Sequence, residues 1–139
     1  MIEQAVALLK QGYTCAVIKE GKTLLSMQRG VAPLLEWLDS GKDCQGGFAA
    51  DKVVGKAAAY LYVLLGVGKV YAKVISRAAE EVFQRFSVVY CYEESVDAIR
   101  NRTGDGFCPM EQAVWTINDP KKAYESIVQK RKELQEKAK

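Results

Sequence analysis

The segment from Asp51 to Leu65 constrains the fold more than any other. It reads Asp-Lys-Val-Val-Gly-Lys-Ala-Ala-Ala-Tyr-Leu-Tyr-Val-Leu-Leu. Asp51 is a good N-cap residue, so the pattern predicts a helix starting there and running to Leu65. That helix would be apolar on nearly every face. Such a helix is buried on all sides, so it predicts a central helix with other elements packed around it. The most apolar stretch, Val53 to Val67, is interrupted by Gly55 and Lys56. It is shorter than the roughly 20 residues that cross a bilayer, so no membrane partner is expected.

The rest of the chain supplies the cover. Ile2 to Gln11 predicts a short amphipathic helix stopped by Gly12. Tyr13 to Lys19 and Thr23 to Gln28, joined by Glu20-Gly21-Lys22, predict a β-hairpin. Val31 to Ser40 reads as a helix with Leu34, Leu35 and Leu38 on its buried side, Pro33 in its first turn and Gly41 at its end. Lys69 to Ile75 reads as a strand, with Ser76 capping a helix through Phe86. Val88 to Tyr92 reads as another strand, Glu94 to Arg100 as a short helix, and Pro109 to Trp115 as a helix. Asp119-Pro120 starts the last helix, with the proline at its first position. Strands alternating with helices predict a three-layer α/β/α sandwich with a mixed sheet. The 139 residues suit one domain spanning 1–139.

Composition narrows the chemistry. The chain has no histidine, which removes the usual general base and every His-containing metal site. The four cysteines are Cys15, Cys44, Cys91 and Cys108, with no Cys-x-x-Cys pair, so no metal is expected. Cys15 and Cys91 lie in strand-like runs and are expected in the core. The net charge is only +3, with much of the excess on the C-terminal helix, so nucleic acid is not an expected partner. Nothing in the first residues resembles a signal peptide, and the expectation is a cytoplasmic, reduced protein.

Two groups of residues are candidates for chemistry. Lys52, Lys56 and Tyr60 recur every four residues and would share one helical stripe beginning at Asp51. A lysine in an otherwise buried helix is costly unless paired, so Lys52 and Lys56 suggest a cationic cleft for a phosphate or carboxylate. The competing interpretation is that both lysines snorkel to the surface or pair with a local acid. Gly55 suggests close approach by another backbone or a ligand.

The second group is Asn101, Thr103, Asp105, Cys108 and Glu111. A loop with two glycines ahead of a helix start can cradle an anion. Cys108 stands before Pro109 at that start, where free N–H groups favour a thiolate. Glu111 falls where it could reach back to the cap. The loop is neither a Walker A sequence nor a dinucleotide fingerprint. Trp37, Tyr60, Tyr62 and Trp115 are expected in the core or an interface.

Three words, Asp51-Lys52-Val53-Val54-Gly55-Lys56-Ala57, Arg29-Gly30 with Pro33-Leu34-Leu35, and Cys108-Pro109-Met110-Glu111, resemble a small prokaryotic family catalogued as domain of unknown function family 1893. The resemblance covers nearly the whole chain, to about Tyr124, and implies a cytidine-deaminase-like fold. Zinc deaminases place His/Cys-x-Glu at one helix start and Pro-Cys-x-x-Cys at the next. Neither Ala49-Ala50-Asp51-Lys52 nor Ile75-Ser76-Arg77-Ala78-Ala79-Glu80 supplies such ligands, and Cys108-Pro109 has the reverse order.

The combined expectation is a zinc-free, cytidine-deaminase-like protein without a cofactor, binding a small anionic, nucleotide-like molecule. Cys108, Lys56 and Asp51 would carry any chemistry, with Lys52, Asn101, Thr103, Asp105 and Glu111 holding the ligand. The alternative is a non-catalytic regulatory or interaction module acting as a homodimer through its apolar helices.

Overall fold

The computed structural model describes residues 2–28, 30–100, 106 and 108–137. Eleven elements follow one another: α1 (Ile2–Lys10), β1 (Cys15–Lys19), β2 (Lys22–Ser26), α2 (Ala32–Asp39), β3 (Phe48–Val54), α3 (Lys56–Leu65), β4 (Lys69–Ser76), α4 (Arg77–Arg85), β5 (Val89–Val96), α5 (Pro109–Val114) and α6 (Pro120–Lys137). The strands form one mixed sheet in the order β2-β1-β3-β4-β5. β1 is antiparallel to both neighbours, and β3, β4 and β5 are parallel.

The hairpin turn is Glu20-Gly21, with φ of 48° and 80°. Two consecutive positive φ values match the twist of the flanking strands, and glycine adopts the second without strain. α1 packs on one face of the sheet, where Ala5 and Leu9 meet Ile18 and Ala50. The main core fills the other face, around α3, which touches α2, α4, α5 and α6. Leu34, Leu35 and Trp37 of α2, Phe83 of α4 and Ile127 of α6 are buried there. The expected three-layer α/β sandwich, with a central buried helix, is the observed architecture.

Several local expectations require correction. The central helix starts at Lys56, and Asp51 to Val54 belong to β3. Backbone pairing to β1 and β4 on both sides holds this segment extended, and its β-branched valines suit a strand. Lys52, Lys56 and Tyr60 therefore do not form one helical stripe. No helix covers 94–100, because β5 continues to Val96 in register with β4 as far as Ser76. Cys91 is exposed on that strand, not buried. Trp115 is half exposed, whereas Trp37, Tyr60 and Tyr62 are buried as expected. The caps at Ser76 and Asp119 form as read: Ser76 Oγ accepts from the Ala79 N–H at 3.1 Å and Asp119 Oδ2 from the Lys122 N–H at 3.0 Å.

Candidate functional site

A cleft of about 990 Å³ opens at the C-terminal end of β3. Thr14 and Cys15 from the start of β1, Met27 and Gln28 after β2, and Val31 before α2 form one side. Asp51, Lys52 and Val53 of β3 form the floor. Cys108, Pro109, Met110 and Glu111 at the start of α5 close the far side. The strand order reverses between β1 and β3, because the chain runs from β1 out to β2 and then returns past β1 to β3. Crevices beyond the carboxyl ends of strands at such changes of topology are the usual ligand positions in open α/β sheets.

Asp51 is the chemically distinctive group. Its side chain turns toward α3, where the Tyr62 hydroxyl donates to Oδ2 at 2.7 Å. The Val53 N–H donates to Oδ1 at 3.3 Å. Across the β1–β3 ladder, Cys15 stands opposite Asp51, and its Sγ lies 3.0 Å from the same Tyr62 hydroxyl. Burial pushes the Asp51 carboxyl up to about 7, against the opposing hydrogen bonds from Tyr62 and the backbone. A carboxyl poised near neutrality can give or take a proton under physiological conditions. Burial likewise raises the Cys15 thiol and the Tyr62 phenol well above their ordinary values, and the nearby Asp51 charge adds to both.

The start of α3 is closed by a residue from far along the chain. Gly55 is its N-cap and offers no side-chain oxygen. Glu111 supplies the missing acceptor: the Lys56 N–H donates to Oε1 at 2.6 Å and the Ala57 N–H to Oε2 at 2.8 Å. A carboxylate on a helix N-terminus meets unpaired N–H groups and the favourable end of the dipole. Burial raises the Glu111 carboxyl, and those two N–H groups oppose the rise. A Cβ at Gly55 would lie 2.3 Å from Glu111 Oε1. A Cβ would fill the space the carboxylate occupies, so a close approach exists, but a side chain makes it rather than another backbone or a ligand.

The predicted site residues thus separate. Asp51, Lys52, Cys108 and Glu111 converge on the cleft. Lys56 does not line it. Its ammonium donates to the Trp115 carbonyl at 2.9 Å and sits 5.9 Å from the Tyr60 ring centroid. Burial lowers its proton affinity, which the Glu111 charge partly restores. Asn101, Thr103 and Asp105 lie outside the described residues. Cys108 is half-buried and N-caps α5 with its backbone only. Glu111 caps α3 rather than its own helix. Cys15 and Tyr62 are buried as expected, but the sequence pattern does not show that they join Asp51. The available signal was a tyrosine in an apolar helix, since a buried phenol needs a hydrogen-bond partner.

Residues 4–130 match the family model TM1506, described as a domain of unknown function, DUF1893. A solved structure of a DUF1893 family protein from Thermotoga maritima is similar, with a TM-score of 0.85 and 24% identity over 93% of this chain and 88% of that one. That level of identity speaks to the shared fold. No curated protein matches the sequence.

Proposed function

We propose, from the premise that the chain belongs to the DUF1893 family, that the cleft binds a small anionic, nucleotide-like molecule, with Asp51 as its proton-exchanging group. The observation that carries this is the placement of a buried carboxyl, held near neutrality, on the floor of a cleft of about 990 Å³. That volume is in the range of small-molecule sites, which pair mostly apolar walls with a few convergent polar groups. Met27, Val31, Val53 and Met110 supply apolar wall. Lys52 supplies the cation for the anionic end of the ligand, and Cys108 is a candidate reactive thiol on the opposite wall.

The proposal includes a cytidine-deaminase-like ancestry. Its support is the mixed sheet with α3 and α4 leaving the ends of parallel β3 and β4. Zinc deaminases hold their metal at two helix starts. Here those starts are Gly55-Lys56-Ala57 and Ser76-Arg77-Ala78-Ala79, and Glu111 occupies the first. Among the described residues no group of three His, Cys, Asp or Glu side chains could hold a metal ion. These residues do not fit a zinc site.

A thermal-shift screen against nucleotides and phosphorylated metabolites tests the binding reading. A ligand specific to the native state, at a hundredfold its Kd, stabilises by about 2.7 kcal/mol. The expected result is a rise in Tm with an anionic compound that Lys52→Met and Asp51→Asn both abolish. No stabilising anion, or a rise retained in both variants, contradicts the proposal. For the homodimeric alternative, the apolar helix α3 is buried within the chain itself. The surface that would pair is instead edge strand β5, which exposes Val89 and Tyr92, since open edges are templates for pairing. Sedimentation of the wild type and of Tyr92→Lys separates that reading from a monomer.

A further inference from the structure

We propose that Cys15, Tyr62 and Asp51 form a reversible hydrogen-bond relay that keeps the cleft carboxyl satisfied both with and without its proton. Tyr62 and Cys15 are then positioning residues for Asp51. The relay's use in the cleft rests on the ligand-binding reading above, while its existence is testable without ligand.

The geometry admits two complete arrangements. The three side chains are buried, at 2%, 0% and 8% exposure for Cys15, Tyr62 and Asp51. Tyr62 Oη sits between them, 2.7 Å from Asp51 Oδ2 and 3.0 Å from Cys15 Sγ. A phenol has one proton to donate and lone pairs to accept with. When Asp51 is ionised, the Cys15 S–H donates to Tyr62 Oη and the Tyr62 O–H donates to Oδ2. When Oδ2 carries a proton, it donates to Tyr62 Oη and the Tyr62 O–H turns to Cys15 Sγ. In both arrangements the Cys15–Tyr62 and Tyr62–Asp51 contacts each pair a proton with a lone pair. The net change is one proton gained by Asp51 from the cleft; no bond in Cys15 or Tyr62 breaks. A thiol suits the far end because it is a weak donor and a weak acceptor, so neither direction is strongly preferred.

Asp51 has partners besides Tyr62: the Cys15 thiol and the Lys52 N–H also reach its carboxyl directly. On its own strand the Val53 N–H bonds Oδ1. Its register partner on β4 is Ala72. Lys52, Arg100 and Cys108 line the same cleft, and the Glu111 carboxylate is turned onto the N–H groups of Lys56 and Ala57.

The test follows the carboxyl carbon of Asp51 by ¹³C NMR through a pH titration of the ligand-free protein. Cys15→Val fills the space but offers neither proton nor lone pair. The ionised arrangement loses only a weak S–H donor to one Tyr62 lone pair. The protonated arrangement leaves the Tyr62 O–H with no acceptor, the larger loss, so the midpoint falls by roughly 0.5–1 unit. Tyr62→Phe removes the bond to the carboxylate, the stronger of the two, and the midpoint rises. Cys15→Ser restores a donor and acceptor and holds the wild-type midpoint. A midpoint that Cys15→Val leaves unchanged or raises overturns the relay, since a cysteine serving only to pack would give that result. Should Cys15→Val fail to fold, the infrared S–H stretch of Cys15, assigned by its loss in Cys15→Ser, provides the reading in the wild type. It should shift as Asp51 titrates, and a band fixed throughout overturns the proposal. A failed ligand screen alongside these shifts removes the ligand reading and leaves the relay standing.

Discussion

At the scale of single residues, the contact between Gly55 and Glu111 organises the wall of the cleft. Glu111→Ala removes two bonds from N–H groups to a charged acceptor and should cost about 3 kcal/mol. Gly55→Ala should cost about the same, because its Cβ would meet Glu111 Oε1 at 2.3 Å and break those bonds as it displaces the carboxylate. In the double variant the alanine at 55 has nothing to displace. Urea unfolding should then show a total well below the sum of the two single costs, and additivity would mean that the two residues are independent. Lys56 behaves differently from its sequence promise. Its bond to the Trp115 carbonyl is partly exposed, so Lys56→Met should lose about 1 kcal/mol and leave any ligand response of the cleft intact. A lost response with normal melting would return Lys56 to the site.

At the scale of elements, the boundary between β3 and α3 shows what was legible and why the rest was not. The apolar run of 57–65 announced a buried helix, and α3 is that helix. Asp51 looked like its N-cap because aspartate caps helices well. Local preference lost to pairing with two neighbouring strands, which only the assembled sheet provides. The valines at 53 and 54 were the local hint of extended structure. β5 extends past the expected Tyr92 for a related reason: Glu94 to Arg100 reads as a short helix, yet Glu93 and Glu94 meet water without cost on an exposed strand. The same exposure changes the expected cysteine chemistry. Cys91 and Cys108 should label with iodoacetamide in the native protein, while Cys15 and Cys44, both buried, should wait for unfolding. Peptide mapping after limited alkylation decides this. Native-state labelling of Cys15 would mean that the core beneath the cleft opens readily.

At the scale of the whole molecule, the alternation of strands and helices carried the architecture, because that pattern is local. The site was only half legible because its bonds are not local. Asp51 meets Tyr62 eleven residues on, and Glu111 reaches back 55 residues to Lys56. A sequence shows the residues of such a pair but not their meeting. The cost of burying Asp51 is felt by the whole fold. A carboxyl raised from 3.8 to about 7 holds its proton more tightly when folded. Its contribution favours the folded state fully below about pH 4 and is lost as pH rises to about 7. The raised Glu111 carboxyl acts in the same direction. The most direct measurement is therefore the unfolding free energy of the wild type and Asp51→Asn at pH 5 and pH 8. The account predicts that the wild type loses about 3 kcal/mol from Asp51 over that interval and that Asp51→Asn removes most of the loss. An equal slope in the two proteins would contradict it, because Asp51 would then be an ordinary ionised carboxylate rather than the proton-exchanging group of the cleft.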